Sequence, residues 1–316
     1  MRVVVTARLA DKHREALKGA FPDVPFDFVP SLSAAPAPSD TEVIVTYGDD
    51  LGADRLAAFS RLRWVMVLKS GIDGLPRETL LDRGIVVTNA RGIHAIPMAE
   101  HVIGLLLAHV RRLYAFYEEQ KARRWSPTLR VEELAGKTVL IVGAGAVGRA
   151  IAERLVPFGV RLLGIRRSAG ALWPFERIGD LSALEDFLPE ADIVVVVLPL
   201  TSATAGLFDR RRFSAMKPGA VFVNVGRGAL VDEGALWEAL QKERLSAAYL
   251  DVFADEPLPP EHPFWAFPRV ILTPHVAGRT PHYLERALEL FRRNLLRYRS
   301  GDLSGLENRV DLRRGY

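Results

Sequence analysis

The run Ile193-Val194-Val195-Val196-Val197-Leu198 constrains the fold more than any other stretch of the chain. A strand with one solvated face alternates apolar and polar residues, whereas six apolar residues in succession suit a strand covered on both faces. Such strands belong mostly to parallel sheets, and parallel neighbours need crossover connections, usually helices. The rest of the sequence supplies that alternation. Strands are predicted at Val3–Thr6, Val43–Thr46, Trp64–Val67, Ile85–Thr88, Thr138–Val142, Arg161–Ile165, Ile193–Leu198, Val221–Val225, Ala247–Leu250 and Val270–Leu272. Amphipathic segments such as Asp11–Gly19, Val147–Val156, Glu233–Gln241 and Pro281–Arg299 fit between them. The expected class is α/β, with doubly wound parallel sheets.

A chain of 316 residues has room for two domains. Two longer helices, about Met98–Glu119 and Pro281–Arg299, flank a central block with its own full set of alternating elements. Residues 30–39, rich in Pro, Ser and Ala, read as a surface loop. Lys and Arg exceed Asp and Glu by 42 − 38 = 4, which permits an anionic ligand but is no nucleic-acid footprint. Without cysteine, the chain has no disulfides, thiolate nucleophile or Cys-ligated metal. Met1–Thr6 reads as a strand and carries no signal-peptide pattern. The longest helical apolar stretch, Val102–Val110, is far short of the roughly 20 residues of a membrane span. A soluble, cytoplasmic protein with no membrane or nucleic-acid partner is expected.

The strand Thr138–Val142 runs into Gly143-Ala144-Gly145-Ala146-Val147-Gly148 and then an amphipathic helix. Gly143 suits a tight turn, Gly145 lets a pyrophosphate approach the backbone, and Gly148 lets the helix pack close to the strand. The N–H groups of Ala146, Val147 and Gly148 open that helix and face the phosphates with its positive dipole end. A strand, this glycine pattern, a helix and a second strand together point to dinucleotide binding. The second strand ends in Arg166-Arg167-Ser168, where an NAD site usually carries an acidic residue for the ribose 2′-hydroxyl. Guanidinium groups and a hydroxyl suit a 2′-phosphate instead. NADP is therefore the expected cofactor, with NAD as the alternative.

Three later segments place polar groups just beyond strands: Asn224-Val225-Gly226-Arg227-Gly228, Leu250-Asp251-Val252-Phe253-Ala254-Asp255-Glu256-Pro257 and Leu272-Thr273-Pro274-His275-Val276-Ala277-Gly278. Open α/β sheets form their ligand crevices at that edge. These segments, the glycine loop, Ser70-Gly71-Ile72-Asp73 and Ala99-Glu100-His101 together resemble the D-isomer-specific 2-hydroxyacid dehydrogenases, over essentially the whole chain.

The resemblance implies a Rossmann cofactor domain, residues 99–284, inserted into a flavodoxin-like substrate domain, residues 1–98 with 285–316. It implies reduction of a small 2-keto acid of the glyoxylate or hydroxypyruvate type to a D-2-hydroxy acid. Its catalytic residues map to Arg227, Glu256 and His275. A protonated His275 would act as general acid in reduction and general base in oxidation, with Glu256 fixing its tautomer. Arg227, with backbone N–H groups of the Ser70-Gly71-Ile72 turn, would hold the substrate carboxylate. Asp251 corresponds to a residue contacting the nicotinamide carboxamide, with a turn-capping aspartate as the alternative, and Leu198, Pro199 and Thr201 to the loop beside the adenosine. Val225, Gly226, His275 and Gly278 are further expected cofactor contacts. Glu100 and His101 read as hinge or packing residues. His13, His94, His109, His262 and His282 form no trusted metal-ligand spacing. Phe264, Trp265 and Met98 are candidate pocket borders, though large apolar residues are more often core. The chain ends soon after the last crossover helix, which reads against a long-form phosphoglycerate dehydrogenase. A homodimer is expected, with the Met98–Glu119 helix and Trp125 contributing. A dinucleotide-sensing, co-repressor-like binding protein with little turnover is the alternative from another class.

Overall fold

The computed structural model describes residues 1–35, 40–72 and 74–313. Asp73 and positions 36–39 of the predicted surface loop lie outside the described residues. The chain divides into two compact units: Met1–Ile93 with the segment from Thr280 onward, and His94–Arg279.

The first unit contains β1 (Arg2–Val5), α1 (Asp11–Ala20), β2 (Phe26–Phe28), β3 (Thr41–Thr46), α2 (Ala53–Ala57), β4 (Trp64–Val67), α3 (Arg77–Asp82) and β5 (Val86–Asn89). Its five strands are all parallel, in the order β2-β1-β3-β4-β5, which is the flavodoxin-like arrangement. The second unit contains α4 (Ala95–Val110), α5 (Leu113–Lys121), β6 (Thr138–Val142), α6 (Ala146–Leu155), β7 (Arg161–Ile165), β8 (Arg177–Gly179), α7 (Leu184–Phe187), β9 (Ile193–Val196), α8 (Arg210–Ala215), β10 (Ala220–Asn224), α9 (Glu233–Gln241), β11 (Leu245–Leu250) and β12 (Val270–Leu272). Its seven strands, again all parallel, run β12-β11-β10-β9-β6-β7-β8. The order reverses between β6 and β9, as in a Rossmann sheet. Residues of β9 are fully buried and divide between two cores, Val194 and Val196 on one face and Ile193 and Val195 on the other. The final helix, α10 (Tyr283–Arg299), returns to the first unit and buries Ala287, Leu290, Phe291 and Leu295 against Trp64 and Met66.

Three expectations need correction. The unit borders fall five residues earlier than predicted, at 93/94 instead of 98/99 and at 279/280 instead of 284/285. Each helix stays whole in the unit whose core takes its apolar face: α4 starts at Ala95 and packs on the second sheet, and α10 packs on the first. The predicted Met98–Glu119 helix is two helices. Arg112, in the left-handed region at φ 55°, separates them, and the N–H of Glu132 takes the carbonyl of Val110 at 2.7 Å. Buried apolar residues continue along α4 as far as Val110, while α5 buries none. The edge strands β2 and β8 were not predicted; each is three residues long and lacks a continuous apolar run. Among the described residues no helix is long and apolar enough to cross a membrane.

One buried polar pair ties α4 to the sheet: His109 Nδ1 lies 2.9 Å from the Tyr249 hydroxyl of β11. Burial, reinforced by the nearby Arg112, pushes the His109 imidazole down to about 4. An unfolded histidine titrates near ~6.5, so between those values the unfolded chain binds more protons. The stabilisation is complete above ~6.5 and is lost as pH falls, by at most about 1.4 kcal/mol per pH unit until about 4. We expect His109→Asn, which cannot titrate, to flatten the fall in stability between pH 6.5 and 5; urea titrations of both proteins across that range check it.

Candidate active site

The glycine loop lies at the point where strand order reverses. Gly143 follows β6 at φ 118°, and a Cβ there would stand 2.8 Å from the carbonyl carbon of Val197, just after β9. The Gly143 and Ala144 N–H groups both donate to the Ile165 carbonyl. A Cβ on Gly148 would come 2.2 Å from Gly143 O, so α6 can pack this tightly on the turn only without a side chain there. Gly145, by contrast, has open space where its Cβ would be. Close packing at two glycines and free space at the third, in front of the first turn of α6, fit a dinucleotide pyrophosphate. Arg166 follows β7 directly, its N–H bonded to Gly179 O, and Arg167 and Ser168 are exposed beside it.

The strands β10, β11 and β12 are adjacent and parallel, so their following loops share one edge of the sheet. After β10, the buried Asn224 organises the turn. Its Oδ1 accepts from Gly226 N at 3.0 Å, its Nδ2 donates to Arg227 O at 3.0 Å, and the exposed Arg227 side chain donates from Nη1 to Gly226 O. A Cβ on Gly228 would overlap the carbonyl carbon of Phe253 at 1.8 Å, so this turn packs directly on the segment after β11. That segment carries Glu256, whose Oε1 accepts from Phe253 N at 3.0 Å, before the cis Glu256–Pro257 bond. After β12 comes the turn with His275, a non-glycine residue at φ 52°.

Asp251 holds that turn from below. It is 2% exposed. Its Oδ1 accepts from Thr273 Oγ1 at 2.5 Å and Val276 N at 2.9 Å, its Oδ2 from Ala277 N at 2.9 Å, and its carbonyl from His275 N at 2.8 Å. The structure thus brings Glu256 and His275 together: Nδ1 lies 2.8 Å from Glu256 Oε2. Burial raises the Glu256 carboxyl, but hydrogen bonds from His275 and Phe253 N, with the charges of His275 and Arg227, outweigh it and hold Glu256 below the usual range. Glu256 is therefore an acceptor at neutral pH, His275 Nδ1 is the donor, and His275 Nε2 is the ring nitrogen left for proton exchange. The His275 side chain is 52% exposed.

The remaining expected residues fall in several settings. Leu198, Pro199 and Thr201 follow β9, and Thr204, which the sequence reading passed over, fastens this loop through Oγ1 to Pro199 O at 2.8 Å. Val225 and Gly226 are buried in the Asn224 turn. Ser70, Gly71 and Ile72 stand in the first unit after β4; Asn89 Nδ2 donates to Ser70 O, and the Ile72 side chain is core. Phe264 is core, Trp265 is exposed and bonds to Pro259 O, and Met98 is partly buried against the second unit's core. Glu100 is exposed, while His101 contacts Thr273.

Residues 103–277 match the model of the D-isomer specific 2-hydroxyacid dehydrogenase, NAD binding domain. The glyoxylate reductase of Aeropyrum pernix is 37% identical over 264 residues, covering 80% of this chain and 78% of that protein. A D-isomer specific 2-hydroxyacid dehydrogenase from Xanthobacter autotrophicus, solved with NADPH and MES, superposes with a TM-score of 0.85 at 30% identity, covering 100% and 99% of the two chains. The NADPH-dependent glyoxylate/hydroxypyruvate reductase of Sinorhizobium meliloti, solved with NADP and sulfate, gives 0.83 at 29% identity, again over 100% and 99%. With a family model spanning the glycine loop and the Arg227, Glu256 and His275 segments, the chain belongs to the D-isomer-specific 2-hydroxyacid dehydrogenases.

Proposed function

We propose that this dehydrogenase reduces small 2-keto acids of the glyoxylate or hydroxypyruvate type to D-2-hydroxy acids, with NADPH as the preferred cofactor. The observation that carries the reading is the His275–Glu256 pair at 2.8 Å, on the sheet edge that also presents Arg227. When bound, the nicotinamide supplies the hydride. His275 Nε2 gives its proton to the carbonyl oxygen as charge develops there, and takes one from the hydroxyl in the reverse direction. Glu256 keeps the other ring proton on Nδ1. Arg227 offers its remaining guanidinium donors to the substrate carboxylate. The backbone N–H groups of Ser70, Gly71 and Ile72 are proposed as further donors to a carboxylate. A carboxylate has about four lone-pair positions, of which Asp251 uses three inside the chain, so one is left for the nicotinamide carboxamide.

The substrate class is supported by the names of the Aeropyrum and Sinorhizobium relatives. NADPH is supported by the arginines at 166 and 167, the lack of an acidic residue at 166–169, and the NADPH and NADP held by the two solved relatives. The exposed Leu113, Tyr114, Phe116 and Tyr117 of α5, with Trp125, support a homodimer; light scattering should then return twice the 35.0 kDa chain mass.

His275→Ala should lower kcat for keto-acid reduction by about 10²–10⁴-fold while leaving the NADPH dissociation constant nearly unchanged. Stopped-flow kinetics and a fluorescence titration read the two quantities, and retained turnover would remove His275 as the proton donor. Arg166→Asp should move the ratio of kcat/KM for NADPH over NADH downward by about 10–100-fold, the worth of one or two charge-assisted hydrogen bonds. A wild type already faster with NADH would contradict the role given to Arg166.

A further inference from the structure

The turn that carries His275 is gripped by α4 as well as by Asp251. His94 immediately precedes α4 in right-handed helical conformation, and His101 follows seven residues later, so both rings lie on one helix face. His94 Nδ1 is 3.1 Å from Gly278 O, and His101 Nε2 is 3.3 Å from Thr273 Oγ1. These contacts fall on the two ends of the segment 273–278. A Cβ on Gly278 would stand 3.0 Å from His94 Nδ1, which gives this glycine a packing reason of its own.

The partners fix the proton positions. A carbonyl only accepts, so His94 Nδ1 donates to Gly278. Thr273 Oγ1 has one hydrogen and gives it to Asp251 Oδ1 at 2.5 Å, so its contact with His101 needs a proton on His101 Nε2. Burial lowers the His101 pKa and outweighs the opposing pull of Asp251, which keeps the ring neutral near pH 7. The result is one directional chain: His101 Nε2–H to Thr273 Oγ1–H to Asp251 Oδ1. The same Asp251 oxygen accepts from Val276 N, the residue after His275.

We propose that His101 is a positioning residue for His275, acting through Thr273 and Asp251, while His94 pins the far end of the turn. A histidine in the left-handed region persists only where its surroundings enforce it. Here the enforcing groups are the Asp251 carboxylate and the backbone bonds it collects. An Asp251 released by Thr273 can rotate, and the turn then loses the constraint that directs His275 Nε2. The role of His101 in catalysis rests on the proposed function of His275, whereas its role in shaping the turn does not.

The test uses His101→Leu, which removes the donor, and His101→Gln, whose amide restores a donor near Nε2. Long-range 1H–15N spectra of the histidine rings should show wild-type His101 neutral with its proton on Nε2. His101→Leu should displace the His275 ring resonances and lower kcat about tenfold or more, because small misplacement of a reacting group is costly. His101→Gln should restore both the resonances and most of kcat. Thr273→Val cuts the same chain at its next link and should reproduce the His101→Leu spectrum, which covers the case that His101→Leu does not fold. A wild-type His101 protonated on Nδ1 alone, or a His101→Leu or Thr273→Val protein that keeps the His275 resonances and kcat of wild type, overturns the proposal. A wild type without keto-acid turnover would defeat the proposed function while the spectra still decide the positioning.

Discussion

Asp251 sits out of water at the end of β11, and a buried carboxylate is costly unless hydrogen bonds replace its hydration. Three donors do so here, from Thr273 Oγ1, Val276 N and Ala277 N, and all three come from the segment after β12. Satisfying the charge therefore closes that segment into a turn, and the closed turn holds His275 at positive φ. The position of the imidazole thus follows from solvating a neighbouring charge with backbone and hydroxyl groups.

The other parts of the site are built in the same way, by supports that lie outside the proposed chemistry. Asn224 shapes the turn that displays Arg227, and the missing Cβ of Gly228 lets that turn lie on the Phe253 backbone. Phe253 N in turn holds Glu256 Oε1, leaving Oε2 for His275. Two loops are therefore fastened by their own hydrogen bonds and by close backbone packing at Gly228, and the third by a buried carboxylate. Parallel strand order brings all three to one edge, where preorganised groups need no rearrangement as charge develops.

Much of this was legible in the residues. The strands Trp64–Val67, Thr138–Val142 and Arg161–Ile165 lie where apolar runs predict them, because burial on both faces leaves a continuous hydrophobic signal. The signal fails for β2 and β8 because an edge strand of three residues needs no such run. It fails again at Arg112, where periodicity continues but buried contacts do not. Side-chain roles that depend on distant partners were hidden as well. His101 reads as a packing residue beside Glu100, and its partner Thr273 lies 172 positions away. Asp251 reads as a ligand contact or a turn cap, and the spacing does not show that three donors of the segment after β12 take up most of its hydrogen-bonding capacity.

We propose that the His275 imidazole, held by Glu256, delivers a proton to a small 2-keto acid. The most direct test of this step is the oxidation of NADPH by the purified protein, followed by absorbance with glyoxylate, hydroxypyruvate and larger 2-keto acids in turn. Turnover is expected with the small acids, faster with NADPH than with NADH, with a D-configured product wherever a stereocentre forms. Tight cofactor binding with no oxidation by any 2-keto acid would contradict the proposal.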